Sequence, residues 1–247
     1  MANTKVDIMV SCAVDQFSAQ TGFNLIKLLN RLDIETNYPL QQTCCGKTAY
    51  FLGDFDGAKQ LGEKMMKDFE GKNPVICTSS SCTAYIKKYF PKIFFNTACH
   101  HEFQNFCERI CDISDFLVNR MNITKIGSAI FPHEVVFLDN CHTLNDYGIH
   151  DEPRILLQNV KGLELIELQD DNLACCGFGG GNFANEFEPI STDMARRKIE
   201  NIQRSGATHV ASTDMSCLLH LKSYCDKYKI EMHFHHIIDI LAHQDNE

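Results

Sequence analysis

Apolar residues along the chain come in short strand-like runs, each followed by a longer stretch with helical spacing. In KVDIMVS, Val6, Ile8 and Val10 follow the two-residue period of a half-buried strand. Leu25, Leu28, Leu29 and Leu32 then recur at i, i+3, i+4 and i+7, one face of a helix. The short DIETNYPL holds a second strand, Ala58, Leu61 and Met65 mark a second helix face, and PVICTS is a third strand. The same series starts again with EVVFLDN, a helix over about 151–159, and LELIEL. Ala195, Ile199 and Ile202 mark a helix that stops near Ser205 and Gly206, where glycine takes the left-handed cap, and THVAST follows as a strand. Each half therefore predicts β-α-β-α-β with a trailing helix. That is an α/β fold of two Rossmann-like, parallel-sheet halves.

Cysteines repeat with the elements. The first half carries Cys12, then Cys44-Cys45-Gly46, then TSSSC ending at Cys82. The second carries Cys141, then Cys175-Cys176-Gly177, then TDMSC ending at Cys217. The intervals are 32 and 34 from single cysteine to pair, and 37 and 41 from pair to last cysteine. Matched landmarks in the same order indicate a tandem duplication with a pseudo-twofold relation. NITKIGSAIFPHE, punctuated by Gly127 and Pro132, reads as the connection, which divides the chain into domains 1–126 and 127–247.

Composition narrows the function. Of 247 residues, 44% are hydrophobic and 22% charged, as in a soluble globular protein. The net charge of −9 argues against nucleic-acid or anionic-membrane binding. No apolar run reaches the ~18 residues of a membrane span. The first residues, MANTKVDIMVSCAVDQ, lack the pattern of a signal peptide, so a cytoplasmic protein is expected. Thirteen cysteines, an odd number, do not suit a disulfide framework in that compartment and point to metal or redox chemistry.

Every repeated cysteine follows a predicted strand, so four thiols should converge on one sheet edge in each half. Adjacent cysteines are poor disulfide partners, because their Cα atoms lie about 3.8 Å apart and a relaxed bridge needs roughly 4.4–6.8 Å. The glycine after each pair permits a turn that brings both sulfurs inward. A multi-iron cluster accepts neighbouring thiolates more readily than one zinc ion, and helix N-termini behind the loops favour thiolates. Iron–sulfur binding is the expectation, with zinc in one half or bare thiol chemistry left open.

SCAVD, QTCCG, DNCH, CCGFGG and the two T-x-x-S-C endings resemble the cysteine-rich CCG-domain family. That family includes a subunit of heterodisulfide reductase and the iron–sulfur subunit of glycolate oxidase. The resemblance covers nearly the whole chain and is strongest to short, two-domain members of the lactate-utilization type. It implies an iron–sulfur oxidoreductase subunit that passes electrons in 2-hydroxy-acid oxidation, L-lactate to pyruvate. Partner iron–sulfur and flavin subunits are implied as well. By position the ligands would be Cys12, Cys44, Cys45, Cys82, Cys141, Cys175, Cys176 and Cys217, holding one cluster per half, [4Fe-4S] in type. Gly46, Gly177, Gly179, His142 and His220 are the residues expected just outside the sulfurs. The alternatives are a zinc-stapled scaffold without redox chemistry and a dithiol or heterodisulfide reductase.

One departure stands out. The reductase pattern ends in C-x-x-C and supplies a fifth thiol, whereas Ser79 and Tyr85 flank Cys82, and Asp214 and His220 flank Cys217, at that spacing. Other features read as structural. GFGGGNF fails G-x-G-x-x-G because Asn182 replaces the last glycine, which argues against a dinucleotide site. Cys107 and Cys111, at i and i+4 on an expected helix, have no counterpart in the second half, and nor do Cys99, His100 and His101 upstream. Cys77 and Cys225 read as packed thiols, and HFHHIID as a strand-to-helix loop.

Overall fold

The computed structural model describes residues 4–168 and 175–244; residues 1–3, the start of MANTKVDIMVSCAVDQ, lie outside them. Among the described residues eight strands form two four-stranded sheets, parallel throughout. In the first half, β1 (Lys5–Met9), β2 (Glu35–Asn37), β3 (Val75–Cys77) and β4 (Ile110–Asp112) lie in the order β2-β1-β3-β4. In the second, β5 (Glu134–Phe137), β6 (Glu164–Ile166), β7 (His209–Ser212) and β8 (His233–His236) repeat it as β6-β5-β7-β8. Registers match as well, with Ile8 beside Ile76 and Val136 beside Val210.

The expected elements are present, and each half adds a fourth strand. β4 is only three residues long and runs on from the helix His100–Arg109, so its apolar residues merge with helical spacing. Cys107 and Cys111 are therefore not on one helix face: Cys107 is helical, and Cys111 lies buried in β4. β8 is built from HFHH, which carries little strand signal, and occupies the stretch expected as a loop.

The helix Ala19–Arg31 buries Leu25, Leu28 and Leu29 in a core shared by both halves, with Ile8 on one side and Phe137, Leu156, Ile237 and Leu241 on the other. Polar contacts fix the same packing. Thr21 and Asn24 each donate to Asp239 at 2.8 Å, and Arg31 donates to the carbonyl of Ala242 at 2.7 Å. Each half also has its own smaller core, around Phe90, Phe94 and Phe106 in the first and Ile199, Ile202 and Leu218 in the second. The order β2-β1-β3-β4 sends the connections after β1 and β3 in opposite directions. A crevice therefore opens at their carboxyl ends, the usual ligand position of open α/β sheets.

Candidate metal centre

Three loops per half bring the cysteines to this crevice. After β1, Ser11 caps the helix Cys12–Phe17, which begins at Cys12. After β3, Ser79 caps the helix Ser80–Phe94 and accepts from the Cys82 N–H at 3.2 Å, which puts Cys82 in the first turn. Between them, Cys44 and Cys45 precede Gly46 at φ +84°, the residue that opens the helix Lys47–Phe51. The second half repeats this, with Gly177 at φ +93°. A Cβ on Gly177 would stand 2.7 Å from the Ser191 carbonyl oxygen, so this turn requires glycine for space as well as for conformation.

The sulfurs meet in pairs. Cys45 Sγ lies 3.3 Å from Cys82 Sγ, Cys176 Sγ 3.1 Å from Cys217 Sγ, and Cys141 Sγ 3.7 Å from Cys175 Sγ. Each quartet has an inner buried pair, Cys45 with Cys82 and Cys176 with Cys217, and a more open outer pair. Hydrogen bonds from Cys12 and Cys45, then the Gly46 N–H and Lys47, hold Cys44 far below the ordinary thiol range despite burial. Cys175 is lowered in the same way by Cys141 and Cys176, helped by the Gly177 N–H at 3.4 Å and by His142. The donating thiols Cys12, Cys45, Cys141 and Cys176 are pushed up in return. Asn140 Nδ2 donates to Cys217 Sγ at 3.1 Å.

Each quartet lines a cavity, about 220 Å³ in the first half and about 190 Å³ in the second. Lys47, Phe178, Gly180 and Ser216 belong to both linings and form a common wall. Lys47 donates to Ser81 Oγ at 2.5 Å. Asp214, from the second half, accepts from Ser79 Oγ at 2.7 Å and from the Ser81 N–H at 3.3 Å, both in the first. Burial alone would lower the Lys47 pKa, but the negative charge of Cys82 and Asp214 overrides it and holds the ammonium above its usual value. Burial would likewise raise Asp214; Lys47 and the two serines hold it below.

Not every expected residue meets the sulfurs directly. His142 lines the second cavity and is fixed by Asp146 at 2.8 Å. Gly179 lines the same cavity. His220 lies one step back: its Nε2 is 3.2 Å from Ser191 Oγ, which donates to the Gly177 carbonyl at 2.8 Å. Cys99, His100, His101, Cys107 and Cys111 do not gather into a site. His100 packs edge-on to Phe95 and Phe103, and the Cys107 thiol faces the Ile86 carbonyl. Cys225 is buried in the second-half core. Sequence reasoning missed Lys47, Asp214 and Cys77. Cys77 ends β3 beside Cys82, so the first crevice has a fifth sulfur in hydrogen-bond reach.

Four thiols per half, with Cys44 and Cys82 strongly acidified in the first and Cys175 in the second, and with N–H groups directed at sulfur, suit thiolate ligation. Among the described residues no three Cys, His, Asp or Glu side chains already surround a common point. The inner sulfurs are instead closed on each other at 3.1–3.3 Å. Two thiolates on one tetrahedral zinc would stand about 3.8 Å apart.

The model of the cysteine-rich CCG domain matches residues 6–87 and 135–222. The chain belongs to the CCG-domain family. Its two CCG segments contain all eight repeated cysteines, whereas β4 and β8 fall outside them. The chain is 33% identical over 242 residues to lactate utilization protein A of Geobacillus thermodenitrificans, covering 98% of this chain and all of that one. It is 31% identical over 238 residues to lactate utilization protein A 1 of Bacillus cereus, covering 96% and 98%. No helix among the described residues is long and apolar enough to cross a membrane.

Proposed function

We propose that this protein is an electron-carrying iron–sulfur subunit in cytoplasmic lactate utilization, with one [4Fe-4S] cluster per half. The observation that carries the proposal is the duplicated quartet of thiols at the crevice of each sheet. The names of its full-length relatives support the metabolic assignment. Cys12, Cys44, Cys45 and Cys82 would hold one cluster, and Cys141, Cys175, Cys176 and Cys217 the other. A bound iron–sulfur cluster supplies one-electron storage, at a potential set by charge and by hydrogen bonds to sulfur. The chain's own part is to shape that environment. Asn140 and the Gly177 N–H direct donors at sulfur, and Lys47 presents a positive charge to both cavities. The exposed Phe17 and the aromatic face of Phe51 stand at the mouths, where partner iron–sulfur and flavin subunits would approach.

The short Cys45–Cys82 and Cys176–Cys217 separations favour a second reading, in which each inner pair is oxidised to a disulfide while its two electrons and two protons pass to a disulfide substrate that leaves as two thiols. Zinc stapling a scaffold is the third. Protein purified without oxygen separates them by iron, acid-labile sulfide and zinc analysis with electron paramagnetic resonance. Brown protein with about four irons per half, of which Cys45→Ser and Cys176→Ser each lose one half's share, is the expected result. Colourless protein with stoichiometric zinc, or metal-free protein that turns over a disulfide substrate, would overturn the proposal.

A further inference from the structure

The amino ends of β5, β7 and β8, away from the cysteines, carry a second cluster of ligating side chains. His133 directly precedes β5, His209 opens β7, and His233 opens β8 with His235 two residues on. His209 and His233 are register partners, and residues two apart on a strand share a face, so the four imidazoles gather on one side of the sheet. His209 Nδ1 lies 3.0 Å from His235 Nε2, with ring centres 5.2 Å apart. His133 stacks on His209 at 4.1 Å, and His233 lies 4.8 Å from it. Phe131 forms an apolar edge against His133, His209 and His235. His133 and His233 are exposed, so the cluster is open to solvent.

Among the described residues no carboxylate pairs with any of these four rings, so protonated imidazoles here would have only one another for company. Crowded neutral imidazoles present lone pairs instead. Two nitrogens bound at about 2.0–2.1 Å to one ion stand roughly 2.9 Å apart at a right angle and 3.3 Å at the tetrahedral angle. The His209–His235 separation falls within that interval. That contact is an N–H···N hydrogen bond, so an ion enters once the shared proton moves to the outer nitrogen of its ring and both lone pairs face inward, with the rings of His133 and His233 lying beside His209. Imidazole donors without carboxylate or thiolate suit the borderline divalent ions.

We propose that His133, His209, His233 and His235 form a surface site for a divalent transition-metal ion of the zinc, nickel and cobalt class, independent of the cysteine centres. The ion would tie the edge strand β8 to β7 and to the entry of β5. It would thereby stabilise the part of the second sheet that lies outside the CCG segment.

The test uses the full-length protein with its cysteine centres loaded, kept without oxygen and titrated with nickel(II) chloride by calorimetry and absorption. One nickel per chain is expected, without thiolate charge-transfer bands and with a raised melting temperature. Uptake should be unchanged in Cys45→Ser and Cys176→Ser and weakened at least tenfold in His209→Gln and His235→Gln. His233 is exposed, so His233→Gln leaves folding undisturbed and should also weaken binding. No uptake, uptake that survives His233→Gln undiminished, or nickel that appears only with thiolate bands would overturn the proposal. Failure here leaves the cysteine centres untouched, because their iron is measured separately.

Discussion

Cys77 and Ser212 hold equivalent positions, each five residues before the last cysteine of its half, and they behave differently. The buried Cys77 thiol donates to the Ser79 carbonyl and lies in reach of Cys82, whereas Ser212 donates to the Leu138 carbonyl at 2.8 Å. A fifth sulfur is absent at C-x-x-C spacing. It lies instead at the end of β3, because the chain reverses through Thr78 and Ser79 into the helix that carries Cys82. A strand-to-helix turn brings together residues that no linear motif marks. Asp112, at the end of β4, shows another buried group at work. Its carboxylate accepts from the Asp115 N–H at 2.8 Å, but Oδ2 is buried without a partner. Burial first, and then the charge of Asp115, push its pKa up to about 7. Between pH 4 and 7 the unfolded chain releases this proton and the folded chain keeps it, so stability falls as pH rises through that window and is level above it. Asp112→Asn removes this slope. Urea midpoints from pH 5 to 7 should show the variant gaining on the wild type by about 1.4 kcal/mol per pH unit.

At the scale of elements, six of the eight strands are legible in the pattern of apolar residues. The other two are hidden for physical reasons. ICD at β4 is too short to establish a two-residue period against the helix before it, and HFHH at β8 owes its place to pairing with β7 rather than to its own hydrophobicity. Tertiary contacts that no periodicity reports also hold the site loops. Arg154, on the helix Asp151–Gln158, grips the buried Asp139 through two hydrogen bonds of 3.0 and 2.7 Å and Glu167 through two more. Asp139 immediately precedes Asn140 and Cys141, so this clamp fixes one wall of the second cavity. Arg154→Leu strips the buried Asp139 of both guanidinium hydrogen bonds and leaves only His150, 3.9 Å away, and should cost about 3–5 kcal/mol in urea unfolding. Replacing both, as Arg154→Leu with Asp139→Leu, should recover much of that loss.

For the whole molecule, the eight repeated cysteines were legible because duplication preserved them, and the wall between the cavities was not. Lys47 and Phe178 both follow a CCG triplet, and Asp214 is the counterpart of Ser79, so comparing the halves gives no reason to single out either charge. Only the pseudo-twofold packing makes Asp214 meet Ser79 and brings Lys47 to both cavities. Asp214→Ala removes the buried carboxylate that balances Lys47 and frees the Ser79 and Ser81 contacts. It should therefore lower the metal content of both halves together, measured as iron per chain, in contrast to the half-selective loss expected from the single cysteine variants.

That wall also bears on why the two halves share one polypeptide. A homodimer places identical side chains across its axis. Built from the second half alone, the axis would bring two buried aspartates face to face; built from the first, it would offer two lysines with no carboxylate between them. Like charges held that closely do not both stay ionised. In the single chain the equivalent positions differ, so that Asp214 faces Ser79 and Lys47 lines both cavities together with Phe178. The wall between the cavities is thus an asymmetric one that neither half could rebuild by pairing with itself.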